Sequence, residues 1–153
     1  KRARIANLKV EIYKPVIDTR YDQNKVVSHD ANSIESTPVD HSSKILLMAK
    51  NAEVVGIDEA QFFDEEVIAV AEELAMQGKR VIVAGLDMDY LGKPFGPMPQ
   101  LLSIADFITK LHAICVQCGH LANISYRTSE EAGTVVLGEK NNYEPRCRIC
   151  ASK

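Results

Sequence analysis

The chain has 153 residues, 46% hydrophobic and 25% charged, which suits a globular protein with one real core and room for a small appendage. A formal charge of −3 argues against a protein whose main task is to grip nucleic-acid backbone, and no apolar run is long enough to cross a bilayer as a helix. No signal peptide is visible, and four cysteines spaced for metal favour a reducing cytoplasm.

Lys1-Arg2-Ala3-Arg4-Ile5-Ala6 reads as the tail of a basic helix without an initiator Met, so a preceding segment is expected to be absent. Leu8-Lys9-Val10-Glu11-Ile12-Tyr13 alternates like a strand, and Pro15 is expected to stop it. The polar residues 18–32 read as a loop. Ser42 or Ser43 can cap a short helix over 44–50, with Ile45, Leu46, Leu47 and Met48 as its apolar side.

Val54-Val55-Gly56-Ile57 is a continuous apolar run ending in Asp58-Glu59, as a buried parallel strand with acids at its carboxyl end would look. Residues 64–77 form a helix with Val67, Val70, Ala71 and Leu74 on one face, stopped by Gly78. Residues 81–85 are the next buried strand, ending at Leu86-Asp87. A Gly- and Pro-rich loop over 88–99, a helix over 100–105 and a strand over 107–115 complete the body. Strands alternating with helices imply an α/β fold with a mostly parallel sheet. The expected division is a core over 1–113 and a metal-binding domain over 114–153.

Two features carry chemistry. The first is Asp58-Glu59. Ligands of open α/β sheets bind beyond the carboxyl ends of strands, and in nucleotide-phosphate enzymes an Asp there holds magnesium while a neighbouring acid takes a proton. Two acids that merely end a buried strand are the plainer reading. The partner motif would be a Gly-rich phosphate loop with Lys and Ser/Thr. Residues 92–96 contain Lys93 but lack the spacing, so such a loop belongs to the absent segment, and the chain as written should be inactive.

The second feature is Cys115-Val116-Gln117-Cys118 and Cys147-Arg148-Ile149-Cys150, the thiolate spacing of a structural zinc site. The insert over 119–146 is 28 residues long, beyond the roughly 15–20 of a common zinc ribbon. In and beside it Glu130, Glu131, Glu139 and Glu144 balance Arg127, Lys140, Arg146 and Arg148. A ribbon for nucleic acid should be biased basic. A ribbon that binds nucleic acid or a protein partner remains the alternative, as does a stapled hairpin with no substrate role. His120 reads as a surface residue rather than a fifth ligand. His29, His41 and His112 carry no signal.

Val55-Gly56-Ile57-Asp58-Glu59-Ala60-Gln61-Phe62-Phe63 resembles the signature of the cellular-type, zinc-containing thymidine kinases. Four further segments agree in order: Tyr13-Lys14-Pro15 through Arg20-Tyr21, Val83 through Gly96, the two cysteine pairs, and Tyr143 through Arg148. The resemblance implies a RecA-like phosphate-loop core, a small zinc domain with a lasso loop, and a cytoplasmic homotetramer. It also implies phosphorylation of thymidine by ATP with magnesium to give dTMP, feedback inhibition by dTTP, and no nucleic-acid or membrane partner.

By the same resemblance Glu59 is the general base and Asp58 the magnesium-associated acid. Asp18 and Arg20 lie near the phosphates; a surface ion pair is the plainer alternative for these two. Gln61, Phe62, Leu86, Tyr90 and Phe95 surround the nucleoside, although Phe62 or Phe63 could equally be core. Tyr90 departs from the family's frequent Phe. In the lasso, Ser125 stands where Thr is frequent, Val136, Leu137 and Gly138 offer backbone contacts to the base, and Tyr143 supports the sugar end. Cys115, Cys118, Cys147 and Cys150 are the zinc ligands.

Overall fold

A computed structural model describes residues 2–16, 25–27, 33–128 and 142–152. They divide into two compact units, one of residues 1–87 with 95–105, the other of residues 88–94 with 106–153.

In the first unit a helical turn, α1 (Arg2–Ile5), leads into β1 (Val10–Pro15). Two short strands, β2 (Lys25–Val27) and β3 (Ser33–Glu35), pair antiparallel. Thus part of the stretch expected to be loop is strand. β1 does end at Pro15, which is its last residue and lies opposite Val39. That partner belongs to β4 (Thr37–Val39), a strand too short to stand out in the sequence. It contains Pro38, which cannot donate to a ladder and is tolerated at a sheet edge.

Then follow α2 (Ser43–Met48) with a 3₁₀ turn (Ala49–Asn51), β5 (Val54–Ile57), a second 3₁₀ turn (Ala60–Phe62), α3 (Glu66–Met76), β6 (Arg80–Val83) and α4 (Met98–Ile104). The last helix begins two residues before the expected start. Its N-cap is Pro97, with a second proline inside the first turn, where a missing N–H costs nothing.

The four strands form a parallel sheet in the order β4-β1-β5-β6. The chain leaves β1 toward β4 on one side and leaves β5 toward β6 on the other. The carboxyl ends of β1 and β5 therefore flank the switch point, where open α/β sheets place their ligands. The β4-to-β5 and β5-to-β6 connections advance in the same direction, so right-handed crossovers put α2 and α3 on one face. There Tyr13, Ile45, Val55, Ile57, Val67 and Leu74 form the heart of the core.

The second unit holds β7 (Ala113–Ile114), β8 (Leu121–Ala122), β9 (Ile124–Arg127), β10 (Tyr143–Arg146) and α5 (Arg148–Ala151). The strand expected over 107–115 shrinks to Ala113–Ile114, which pairs antiparallel with β8. An apolar sequence makes a strand only where a ladder partner exists. Among the described residues 106–112 have none, and Phe107 is 94% exposed.

Candidate functional site

Asp58 and Glu59 follow directly on β5. The Asp58 amide donates to the Tyr13 carbonyl at 2.8 Å, which ties the end of β5 to β1 across the switch point. Glu59 then turns the chain out of the sheet with φ 52° and ψ 40°. This left-handed conformation costs a non-glycine residue of order 1–3 kcal/mol and persists only when neighbours over-determine it. They do so here. The Ala60 amide donates to the Ala84 carbonyl at 3.0 Å, and the Phe62 amide to the Glu59 carbonyl at 3.0 Å. The Gln61 side chain donates from Nε2 to Glu59 Oε2 at 2.7 Å.

Glu59 is open to solvent as a residue, but its carboxylate end is partly desolvated. That desolvation pushes its pKa up. The Gln61 hydrogen bond opposes the rise, the Asp58 charge adds to it, and the Lys14 charge opposes it. A carboxylate poised between these influences just past the carboxyl end of β5 suits a general base.

Phe63 is core, at 7% exposure. Phe62 is half-buried and meets Phe95 edge to face, with ring centroids 5.3 Å apart and planes at 84°. Leu86 is half-exposed. Gln61 is buried, and its Oε1 accepts the Leu86 amide at 3.0 Å. The first unit thus brings Asp58, Glu59, Gln61, Phe62, Leu86 and Phe95 together. Asp18 and Arg20 lie outside the described residues.

Sequence reading missed the clamp behind this turn. Buried Ser42 donates its amide to Asp64 Oδ2 at 3.0 Å and its hydroxyl to Oδ1 at 2.5 Å. Burial resists ionisation of Asp64, but the hydroxyl and amide donors outweigh it and hold the carboxyl below its usual range. Ser42 was legible as a cap. It caps no backbone of its own helix, however, and instead ties the start of α2 to the start of α3.

In the second unit the sulfurs of Cys115, Cys118, Cys147 and Cys150 all lie within 4.8 Å of one another. A tetrahedral zinc with Zn–S near 2.3 Å needs sulfurs about 3.8 Å apart, so the set fits that ion. Cys115 follows β7, and its amide donates to the His120 carbonyl at 2.8 Å across a turn closed by Gly119 at φ 75°. Cys147 follows β10, and Cys150 sits on α5.

The Cys147 amide helps to lower the Cys115 thiol to about 6, whereas hydrogen bonding with the Cys118 and Cys147 sulfurs pushes Cys150 up to about 12. Cys115 and Cys147 thus lie below the ordinary thiol range, and Cys118 and Cys150 above it. A divalent cation among the sulfurs removes that conflict. His120 is exposed, with Nδ1 3.3 Å from Cys118 Sγ, where it can hydrogen-bond the sulfur.

β9 and β10 are the two legs rising from this centre. Ser125 lies opposite Pro145 and Tyr143 opposite Arg127, so Ser125 and Tyr143 share one face of the ribbon. On the other face the Arg146 guanidinium stacks 3.5 Å from the Tyr126 ring centroid and pairs with Glu144. Tyr90, Ile124, Tyr126 and Arg148 help to line a cavity of about 290 Å³, and Arg127 covers the Tyr90 ring at 4.9 Å. Val136, Leu137 and Gly138 lie outside the described residues.

Fold and site together define an open parallel α/β protein with an acid pair at its switch point and a cluster of four thiols fit for a metal in a separate unit. The thymidine kinase family profile matches residues 1–151. The thymidine kinase of Porphyromonas gingivalis strain W83 is 58% identical over 153 residues, which cover 100% of this chain and 75% of that protein. That of Bacteroides thetaiotaomicron is 59% identical over 150 residues, covering 98% and 75%. That of Bdellovibrio bacteriovorus is 47% identical over 149 residues, covering 97% and 73%. The chain belongs to the thymidine kinase family.

Proposed function

We propose that this protein transfers the γ-phosphate of ATP to the 5′-hydroxyl of thymidine, giving dTMP, and that Glu59 is the base. The observation that carries the reading is the position of Glu59, held in a left-handed turn just past β5 at the switch point of a family member's sheet. The hydroxyl proton passes to a Glu59 carboxylate oxygen as the hydroxyl oxygen bonds to the γ-phosphorus. The bond from that phosphorus to the bridging oxygen breaks, and its electron pair leaves with ADP.

Asp58 offers hard oxygen donors suited to magnesium, which when bound with ATP offsets phosphate charge. Asp18 and Arg20 are assigned to the phosphates, with Arg20 matching charge that builds in transfer. Phe62, Leu86, Tyr90 and Phe95 are assigned to the nucleoside. Ser125, Val136, Leu137, Gly138 and Tyr143 are assigned to a lasso that reads thymine largely through backbone groups, because a wrong base would leave those groups unpaired. The four cysteines hold structural zinc, which does no chemistry and fixes the base of the lasso. A cytoplasmic homotetramer inhibited by dTTP completes the proposal; among the described residues no helix is long and apolar enough to cross a membrane.

The test is Glu59→Gln in the full-length enzyme, which should lower kcat by roughly 10²–10⁴-fold. Undiminished turnover of thymidine by that variant would reject the assignment of the base.

A further inference from the structure

We propose that Gln61 is a positioning residue for Glu59: its buried amide grips one carboxylate oxygen of Glu59 and ties that oxygen to the backbone leaving β6. The inference rests on the reading of Glu59 as the base, and it gives Gln61 a different task from contact with the nucleoside.

Gln61 is only 3% exposed, so its amide must find partners within the protein. The Leu86 backbone N–H, which can only donate, points at Oε1 at 3.0 Å. That fixes the orientation of the amide, since the acceptor end must face Leu86. The NH₂ end therefore faces Glu59 and donates to Oε2 at 2.7 Å. With Oε2 engaged, Oε1 of Glu59 is the oxygen left for a substrate hydroxyl.

The surroundings are shaped for this one side chain. A Cβ on Gly85 would stand 2.7 Å from Gln61 Oε1 and 2.9 Å from Met98 Sδ. A Cβ on Gly96 would stand 2.2 Å from the Gln61 backbone carbonyl oxygen. Two glycines thus leave room for the amide and for its main chain. Residue type is specified as well. Methionine fills the space but cannot donate and accepts only weakly. Glutamate still accepts from Leu86 but sets one acid against another. Asparagine is one methylene too short to span both partners.

A double-mutant cycle tests the assignment. Gln61→Met and Gln61→Glu should each lower kcat by roughly 10- to 10²-fold, as a slightly misplaced base does, while the nucleoside KM stays within about threefold. In a Glu59→Gln background the Gln61 substitutions should cost almost nothing further, because a residue acting only through Glu59 has no base left to place.

The Leu86 amide gives a readout independent of turnover. Its proton should lose hydrogen-exchange protection in Gln61→Met and keep it in Gln61→Glu. A raised KM with unchanged kcat, a full Gln61 effect persisting in the Glu59→Gln background, or an unchanged Leu86 amide in Gln61→Met would overturn the assignment. The two readings fail differently. An active Glu59→Gln removes both, whereas an inactive Glu59→Gln beside a silent Gln61→Met removes only this one.

Discussion

The two units hold functional side chains by opposite means. In the sheet unit a continuous apolar core fixes the strands, with Tyr13, Ile45, Ile57 and Leu74 essentially fully buried. That surplus lets the fold carry a strained left-handed glutamate at its edge. Among its described residues the cysteine unit has no comparable core. Its buried cluster is Cys115, Ala122 and Cys147, with Cys150 against it, while Ile114 and Leu121 of its own ribbon stay largely exposed. The apolar burial of these described residues alone does not offset the entropy of ordering them. Where one unit uses hydrophobic packing, the other gathers four sulfurs into a cluster that could hold a metal.

Metal removal should break that comparison most sharply. Structural zinc contributes apparent folding energies of about 10–16 kcal/mol in small domains at neutral pH. A chelator, or Cys118→Ser, should expose the remaining thiols to alkylation and speed hydrogen exchange across 113–128 and 142–152. Amides of β1, β5 and β6 should stay protected. If both units lost protection together, the sheet would not be self-supporting. The converse separation comes from Glu59→Gln. Its large loss of turnover should leave thermal unfolding unchanged or slightly raised, because removing a partly desolvated charge relieves the fold.

The sequence was most legible where local pattern and tertiary role agreed. The run at 54–57 had to be a buried strand and Val67, Val70, Ala71 and Leu74 had to face a core, and both hold; the cysteine spacing pointed to a metal site, and the four sulfurs do gather into a cluster that could hold one. It was least legible where a partner decides. Residues 107–112 carry strand-like composition without a described ladder partner, and Thr37–Val39 is a strand only because β1 lies beside it. Gln61 belonged to the motif, but nothing in a linear pattern says that its amide spans Glu59 and Leu86. Which of two adjacent phenylalanines is core was likewise open until the turn after Glu59 sent Phe63 inward and left Phe62 beside Phe95.

Two glycines sharpen the account of the strained edge. Gly96 has φ +49° and no room for a Cβ, whereas Gly78 has φ +78° and nothing within 4 Å of where a Cβ would sit. Gly78→Ala should cost only the left-handed penalty, about 1–2 kcal/mol. Gly96→Ala must add a backbone clash against Gln61 and should cost about 3–4 kcal/mol by denaturant unfolding. Equal losses would mean that the 86–96 segment yields freely and does not brace the turn.

The smallest expected effect belongs to the clamp between α2 and α3. Ser42→Ala removes the hydroxyl bond to Asp64 but keeps the amide bond, so the cost at pH 7 should be about 1.5 kcal/mol, the low end for a hydrogen bond to a charged acceptor. Its pH dependence follows from the depressed Asp64 carboxyl. A group whose folded pKa lies below its unfolded value contributes stability that is fully present above the unfolded value, near 3.9, and is lost as pH falls through the folded one. The gap between Ser42→Ala and the parent protein should therefore be widest at neutral pH and shrink below about pH 4. A gap that stayed constant into acid would mean that Ser42 acts through packing rather than through the ionised carboxylate, and the two helix starts would then be joined by shape alone.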